Sequence, residues 1–184
     1  MDDTADIAST AEGQPRSGSP LHRPIATVTV AAPCADVYRV IVDPSTSPDW
    51  LLGAQKIRRI DAAWPQVGSS FHHTVGAGPL RISDHSAVLE AQAPEMLRLE
   101  AHIGVFGSAQ VTFRLTEHDG MTEVELSEVP SGGLLRVGWH TFGRLWLALG
   151  LWGRNQLTLD RLRTFIENGT EAVEDGPPVS GAMT

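Results

Sequence analysis

The chain has 184 residues with a formal net charge of −8, and 41% of its residues are hydrophobic. This length predicts one domain that buries a large core without a disulfide or a structural metal, and Cys34 is the only cysteine. The acidic balance excludes the basic face of a nucleic-acid-binding protein. We therefore expect no nucleic-acid partner and no cofactor.

The beginning of the sequence shows no secretory signal, because it is acidic and polar where a signal would have a basic start and an apolar run. The most apolar stretch, 134–152, is interrupted by Arg136, His140 and Arg144, which are costly at the centre of a bilayer. We expect a cytoplasmic protein without an integral membrane segment.

The two ends differ from the middle in composition. Residues 1–22 and 168–184 are rich in small, polar and acidic residues with Pro and lack apolar periodicity, which predicts disordered tails. The folded domain is expected over 23–167.

The domain begins with a β-branched run, Ile25 to Ala31, which predicts a strand. Pro33 then opens a helix, because its missing N–H costs nothing in the first helical turn. Asp43-Pro44 ends that helix, since a proline disfavours helical geometry in the residue before it. A short second helix is predicted over Ser47 to Leu52.

From the second helix to Pro130, apolar and polar residues alternate with period two, as half-buried antiparallel strands require. The runs 97–102 and 109–116 show this most clearly. Turns are predicted where Gly and Pro cluster. The pattern indicates about six strands.

After Gly133 the period becomes helical, and apolar residues recur at steps of mostly three and four. The members of this stripe are Phe142, Leu145, Leu149, Trp152, Leu159, Leu162 and Ile166. Asn168-Gly169 predicts the helix end, because glycine suits the left-handed cap position. The predicted fold is α+β: a curved antiparallel sheet around one long C-terminal helix, a layout that commonly leaves a cavity.

Several segments carry a resemblance to a known family: Ala-Pro-Cys-Ala-Asp-Val-Tyr-Arg-Val-Ile-Val-Asp-Pro at 32–44, Val-Gly-Ser-Ser-Phe at 67–71, Gly-Met-Thr-Glu-Val at 120–124, and the last helix from Arg154. Over about 24–167 the chain resembles the START-like, or SRPBCC, superfamily, particularly its polyketide cyclase/dehydrase and lipid-transport branch. The resemblance implies a helix-grip fold with an internal cavity. Members bind lipids, polyketides, plant hormones and sterols, and a minority catalyse cyclisation or dehydration in the same pocket.

Three polar residues share strand parity with apolar neighbours. Asp84 and Ser86 are an even number of residues from Val88, and Glu128 is two residues from Leu126, so each shares a strand face with that apolar residue. If the apolar residues face inward, these three do too, and a buried carboxyl group has a raised pKa suited to acid–base chemistry. Solvent-facing positions at strand ends are the alternative, since a register slip of one residue moves every side chain to the other face.

His72, His73, Asp84 and His85 suggest a metal site at first sight. Adjacent residues on a strand point to opposite faces, however, so at most one of each pair shares a site, with His73 and Asp84 meeting across a hairpin. The ligand spacing of known zinc sites is absent. The sequence therefore predicts no metal.

The ligand-binding candidates come from the last helix and from the strands. On the helix they are Trp139, Phe142, Arg144 and Trp146, where tryptophan could stack on a flat ligand and arginine could meet an anionic oxygen. The alternative is that the tryptophans are core and the arginine is solvated. On the strands the candidates are Ser86, Leu99, Val111 and Phe113.

Three functional hypotheses follow. The first is a binder of a small hydrophobic, lipid- or polyketide-like molecule in an internal cavity. The second is a polyketide cyclase or dehydratase that uses Glu128, Asp84 and His140 as catalytic groups. The third makes the apolar last helix a homodimer or membrane-surface element, because Leu147 and Leu151 fall off its main stripe.

Overall fold

The computed structural model describes residues 25–77, 80–102, 107–133 and 144–174. These residues form seven strands and three helices, in the order β1 (Ile25–Val30), α1 (Cys34–Val42), α2 (Ser47–Trp50), β2 (Ala54–Ile60), β3 (Ser70–Ala77), β4 (Leu80–Gln92), β5 (Met96–His102), β6 (Ser108–His118), β7 (Met121–Gly132) and α3 (Arg144–Glu174).

The strands make one antiparallel sheet in the order β1-β7-β6-β5-β4-β3-β2. Strands β2 to β7 follow one another along the chain, while β1 pairs with β7. The first two strands therefore form opposite edges of the sheet, and α1 and α2 connect them. The predicted α+β helix-grip architecture, with two short helices after the first strand and one long helix after the last, is confirmed.

The two short helices bury the faces that their sequences predict. Helix α1 buries Cys34, Val37, Tyr38 and Ile41, which recur at helical spacing. In α2, Trp50 is almost fully buried and packs edge to face on Phe113 of β6, with ring centroids 6.3 Å apart. Both helices thus close one part of the core against the sheet.

Helix α3 lies along β1. The Gln156 side chain donates a hydrogen bond to the Thr27 carbonyl, and the Ala31 N–H donates to Glu167 Oε1, at 3.1 Å each. Two contacts in the same order along both elements mean that helix and strand run in the same direction. Between them, Leu159, Leu162 and Ile166 enter the hydrophobic core.

The predicted helix end at Asn168-Gly169 is wrong. Helix α3 continues through both residues to Glu174, beyond the predicted domain boundary at 167. Both are exposed, and a glycine in an exposed helix costs only about 1 kcal/mol relative to alanine, so it does not have to end the helix. Among the described helices, none combines the length and the apolar character needed to cross a bilayer.

Candidate functional site

The inner face of the sheet, which packs against α3, carries side chains that become smaller toward one end. One row across β5, β6 and β7 contains Leu97, Phe113 and Leu126 in register. Two residues further along, the row across β4, β5 and β6 is Val88, Leu99 and Val111. The next row is Ser86, Ala101 and Ala109. On β5 and β6, the two strands that all three rows cross, the volume that side chains fill above the sheet therefore decreases from the first row to the third.

Two inner-face residues in the middle of the sheet keep accessible surface. Val111 on β6 and Ala101 on β5 are only partly buried, although their strands have neighbours on both sides. Phe113, two residues from Val111 on the same face, is 4% exposed. Within the described residues, the inner face is thus closed over its first row, while the second and third rows each contain one partly accessible residue beside buried ones.

Asp84 and His73 are register partners on β4 and β3, and both are buried on the inner face. The pairing suggested by their parity is thus what the structure contains. Burial raises the pKa of Asp84 to about 6, although Oδ1 accepts a 2.7 Å hydrogen bond from the His85 N–H. Burial lowers the pKa of His73 to about 4, with a smaller contribution from the charge of Arg58. His73 Nδ1 has no hydrogen-bond partner.

The other three histidines of this region lie on the outer face. His72, His85 and His102 form a row over β3, β4 and β5, with ring centroids 5.7 Å apart for the first pair and 4.1 Å for the second. The His85 and His102 rings are stacked, so their nitrogens do not converge. No group of three or more metal-ligating side chains occurs among the described residues.

Glu128 lies on the inner face of β7, where its register partner is Val111. Its carboxylate accepts a 2.6 Å hydrogen bond from Arg154 of α3, and the two side chains are 7% and 39% exposed. This ion pair connects the sheet to the helix at the level of the second row. The sequence prediction included Glu128 but missed Arg154.

Asp84 and Glu128 share the inner face but do not converge. Glu128 pairs with Val111, Val111 with Leu99, and Leu99 with Val88, so three strand spacings separate β7 from β4. At about 4.8 Å per spacing that is about 14 Å along the sheet, and Asp84 lies four residues, about 13 Å, beyond Val88. Among the described residues, the ionisable neighbours of Asp84 include its register partner His73 and also Arg58, which donates a 3.2 Å hydrogen bond to the Asp84 carbonyl oxygen.

Helix α3 places two polar residues where an apolar stripe was predicted. Asn155 and Thr158 are 2% and 1% exposed, and Asn155 Nδ2 and Thr158 Oγ1 have no hydrogen-bond partner. Trp152, which was predicted to belong to the stripe, is 46% exposed, so that prediction is wrong. Asn155 lies four residues before Leu159 and seven before Leu162, and this spacing is the signal that the apolar pattern alone did not use.

The remaining candidates are placed as follows. Ser86, Leu99, Val111 and Phe113 lie on the inner face, and Phe113 belongs to the packed core against Trp50. Arg144 and Trp146 are in the first turn of α3, but their side chains lie outside the described residues. Trp139, His140 and Phe142 also lie outside the described residues.

Comparisons with known proteins identify the fold. No family model matches the sequence, and no curated protein matches it. CalU16 from Micromonospora echinospora is 17% identical with a TM-score of 0.54, covering 81% of this chain and 78% of CalU16. Ara h 8.0201 is 10% identical with a TM-score of 0.62, covering 80% of this chain and 98% of its own.

DynU16, a protein of the dynemicin biosynthetic locus, is 21% identical with a TM-score of 0.59, and the match covers 82% of this chain but 49% of DynU16. At such low identities these similarities show the fold alone. The chain is therefore an α+β protein with a helix-grip-like fold, shared with proteins of otherwise dissimilar sequence.

Proposed function

We propose that the protein binds a small hydrophobic molecule in an internal cavity between α3 and the inner face of the sheet. The observation that carries this proposal is the decrease in side-chain size along β5 and β6, from Leu97 and Phe113 to Ala101 and Ala109. Helix α3 continues from Arg154 back to Arg144, past the ion pair with Glu128. Space above the small side chains would be bounded by helix and sheet.

Burial of the ligand would supply most of the binding energy. An apolar ligand gains about 25 cal/mol for each Å² removed from water, and a few polar groups fix its orientation. Val111 and Ala101 offer partly accessible apolar surface, and Asp84 and His73 offer polar groups on the same face. The structural similarity to a protein from a biosynthetic locus supports a small-molecule ligand.

The second candidate function is catalysis, as a cyclase or dehydratase. The observation that favours it is the buried pair of Asp84 and His73, because a carboxyl group with a pKa of about 6 exchanges protons near neutral pH. Glu128 contributes less to this hypothesis, since Arg154 already neutralises its charge and Asp84 is several strands away. Binding therefore remains the main proposal.

A dimer or membrane-surface role for α3 is the least supported candidate. Trp152 and Leu157 are its exposed large apolar residues in the described part of the chain, at 46% and 45%. Five residues of helix rotate the side chain by about 140° from the first to the second, so the two do not form one patch. Leu147 and Leu151 have side chains outside the described residues.

The test fills the proposed cavity by enlarging a side chain on the inner face of the sheet. Ala109→Phe places a ring on the inner face, and Gln110→Phe places the same ring on the exposed outer face of the same strand. We expect wild type and Gln110→Phe to bind the uncharged fluorophore N-phenyl-1-naphthylamine, and Ala109→Phe to stay folded but lose binding. If the interior is packed, Ala109→Phe should instead cost more than about 3 kcal/mol of unfolding free energy, which would contradict the proposal. Absence of binding by wild type would also contradict it.

The same experiment separates binding from catalysis. Ligand extracted from protein purified from its own host is returned to ligand-free protein, and its mass is measured after incubation. Recovery at unchanged mass supports a binding protein. Loss of water from the ligand during incubation with wild type, and no such loss with the Asp84→Asn variant, supports the dehydratase or cyclase.

A further inference from the structure

Asn155 is a buried hydrogen-bond donor without an acceptor. Its side chain is 2% exposed, and Nδ2 has no partner, while Thr158 Oγ1, one helical turn further, is in the same situation. An unpaired buried polar group costs about 1 to 3 kcal/mol, and native proteins leave few of them. Two such atoms lie on one face of one helix, and no residue in the described part of the chain supplies a hydrogen-bond partner for either of them.

The position of Asn155 directs this donor to the proposed ligand site. It lies on the buried face of α3 with Leu159 and Leu162. The residue before it, Arg154, contacts Glu128, whose register partner Val111 keeps accessible surface on the inner face. Asn155 therefore follows directly the helix residue that contacts the sheet at the level of Val111, the partly accessible position of the second row.

The charges around Asn155 select the kind of acceptor. Arg154 is the cation next to it, and the carboxylate of Glu128 already pairs with that guanidinium at 2.6 Å. Among the described residues the salt bridge of Glu128 is with Arg154 alone, so a ligand carboxylate here would be desolvated beside Glu128 without a described counter-charge of its own, which is costly in a buried site. A neutral oxygen acceptor needs only the donor that Asn155 supplies.

We infer that Asn155, assisted by Thr158, binds a carbonyl oxygen of an uncharged hydrophobic ligand, and that the site prefers such a ketone over both a hydrocarbon and a carboxylate of the same ring skeleton. This inference rests on the proposed function and adds the chemical class of the ligand. Asn155 is a specificity residue in this role, since it contacts the ligand without taking part in a reaction.

The experiment compares three probes with one two-ring skeleton: 1-tetralone, tetralin and tetralin-1-carboxylate. Their affinities are measured by displacement of N-phenyl-1-naphthylamine at pH 7.5. For wild type we expect 1-tetralone to bind about tenfold more tightly than tetralin, as one neutral hydrogen bond in a buried site provides. Asn155→Leu, which has a similar volume, should bind the ketone and the hydrocarbon equally.

Two controls separate a ligand site from a structural role. Asn168→Leu makes the same substitution at an exposed position of the same helix and should keep the wild-type preference. Asn155→Leu should also unfold at an equal or higher urea concentration, because it removes an unpaired polar group. In wild type, the side-chain amide NMR signals of Asn155 should shift on addition of 1-tetralone and stay in place with tetralin.

The outcomes are distinguishable. Equal affinity for ketone and hydrocarbon, with unshifted Asn155 amide signals, means that Asn155 holds only an ordered water; this overturns the inference while binding stands. Tighter binding of the carboxylate overturns the neutral ligand class. Failure of wild type to bind the fluorophore and all three probes overturns the inference together with the proposed function.

Discussion

Asp84 and His73 are neighbours whose pKa values move in opposite directions for one reason. Burial disfavours the charged form of each, so it raises the pKa of Asp84 to about 6 and lowers the pKa of His73 to about 4. The folded state thus holds a proton on Asp84 that the unfolded chain releases above about pH 4, and withholds from His73 a proton that the unfolded chain takes up below about pH 6.5.

The two groups should therefore give opposite slopes of stability against pH. Asp84 contributes stability that is complete below about pH 4 and is lost as pH rises through 6, whereas the contribution of His73 increases between about pH 4 and 6.5. Relative to wild type, Asp84→Asn should become more stable, and His73→Gln less stable, as pH rises from 4 to 6. The change over this interval is about 2 kcal/mol for each, at 1.36 kcal/mol per pKa unit, because each shift is only partly realised between pH 4 and 6.

Urea unfolding of wild type and both variants at pH 4, 5, 6 and 7 measures these slopes. The exposed histidine variant His118→Gln is the control and should run parallel to wild type. Parallel curves for all four proteins would mean that neither Asp84 nor His73 is desolvated in the folded state.

At the scale of single residues, the period of two indicated which polar groups share a face with apolar residues, but it left the solvent-facing alternative open, and the structure decides for the inner face. Asp84 and Ser86 follow the parity of Val88, and Glu128 that of Leu126, as the burial of all five confirms. The pairing of Asp84 with His73 also followed from parity, but the partner of Glu128 was not predictable, because Arg154 and Glu128 are joined by packing of α3 on the sheet and not by spacing along the chain.

The ion pair of Glu128 and Arg154 attaches one element to another, and its two ends differ in burial. Glu128 is 7% exposed and Arg154 is 39% exposed. Arg154→Met would leave a buried carboxylate without its partner, and we expect a loss of about 2 to 3 kcal/mol, somewhat below the range for fully buried pairs. Glu128→Gln leaves a cation that water already reaches, so we expect about 1 kcal/mol.

A double-mutant cycle by urea unfolding tests this asymmetry. The variant with both substitutions should be close in stability to Glu128→Gln alone, since the unpaired carboxylate is gone. On the same helix, Arg163→Met breaks an exposed pair with Glu167 and should cost less than about 1 kcal/mol. Equal losses for Arg154→Met and Arg163→Met would show that burial of Glu128 has no energetic effect.

Local sequence patterns predicted the helices and strands. The errors arose at positions where the tertiary environment, and not the local pattern, determines the structure. The sequence predicts that α3 ends at Gly169, but the exposed helix tolerates this glycine and continues to Glu174. Trp152 was assigned to the buried stripe because it is apolar, whereas Asn155 and Thr158 are buried there. A stripe defined by hydrophobicity alone omits polar residues that are buried on the same face of the helix.

On the scale of the whole molecule, the two ends of the described chain meet. Strand β1 pairs with β7, and α3 packs along β1, so the first and last described elements are in direct contact. A ligand held between α3 and the inner face of the sheet would contact both the helix and the sheet. Its binding should therefore stabilise the whole fold and not α3 alone.

Saturation with N-phenyl-1-naphthylamine should raise the free energy of unfolding of wild type by about 2.7 kcal/mol at a free concentration one hundred times the Kd. Circular dichroism reports on helix and sheet, and tryptophan fluorescence includes the buried Trp50. Both signals should move together to higher urea, because α3 and the sheet would lose the ligand in one step. The Ala109→Phe variant should show no shift, while Gln110→Phe should match wild type. A shift confined to the helical signal would mean that the fluorophore binds on the outside of α3, since a molecule enclosed between helix and sheet cannot stabilise one of them without the other.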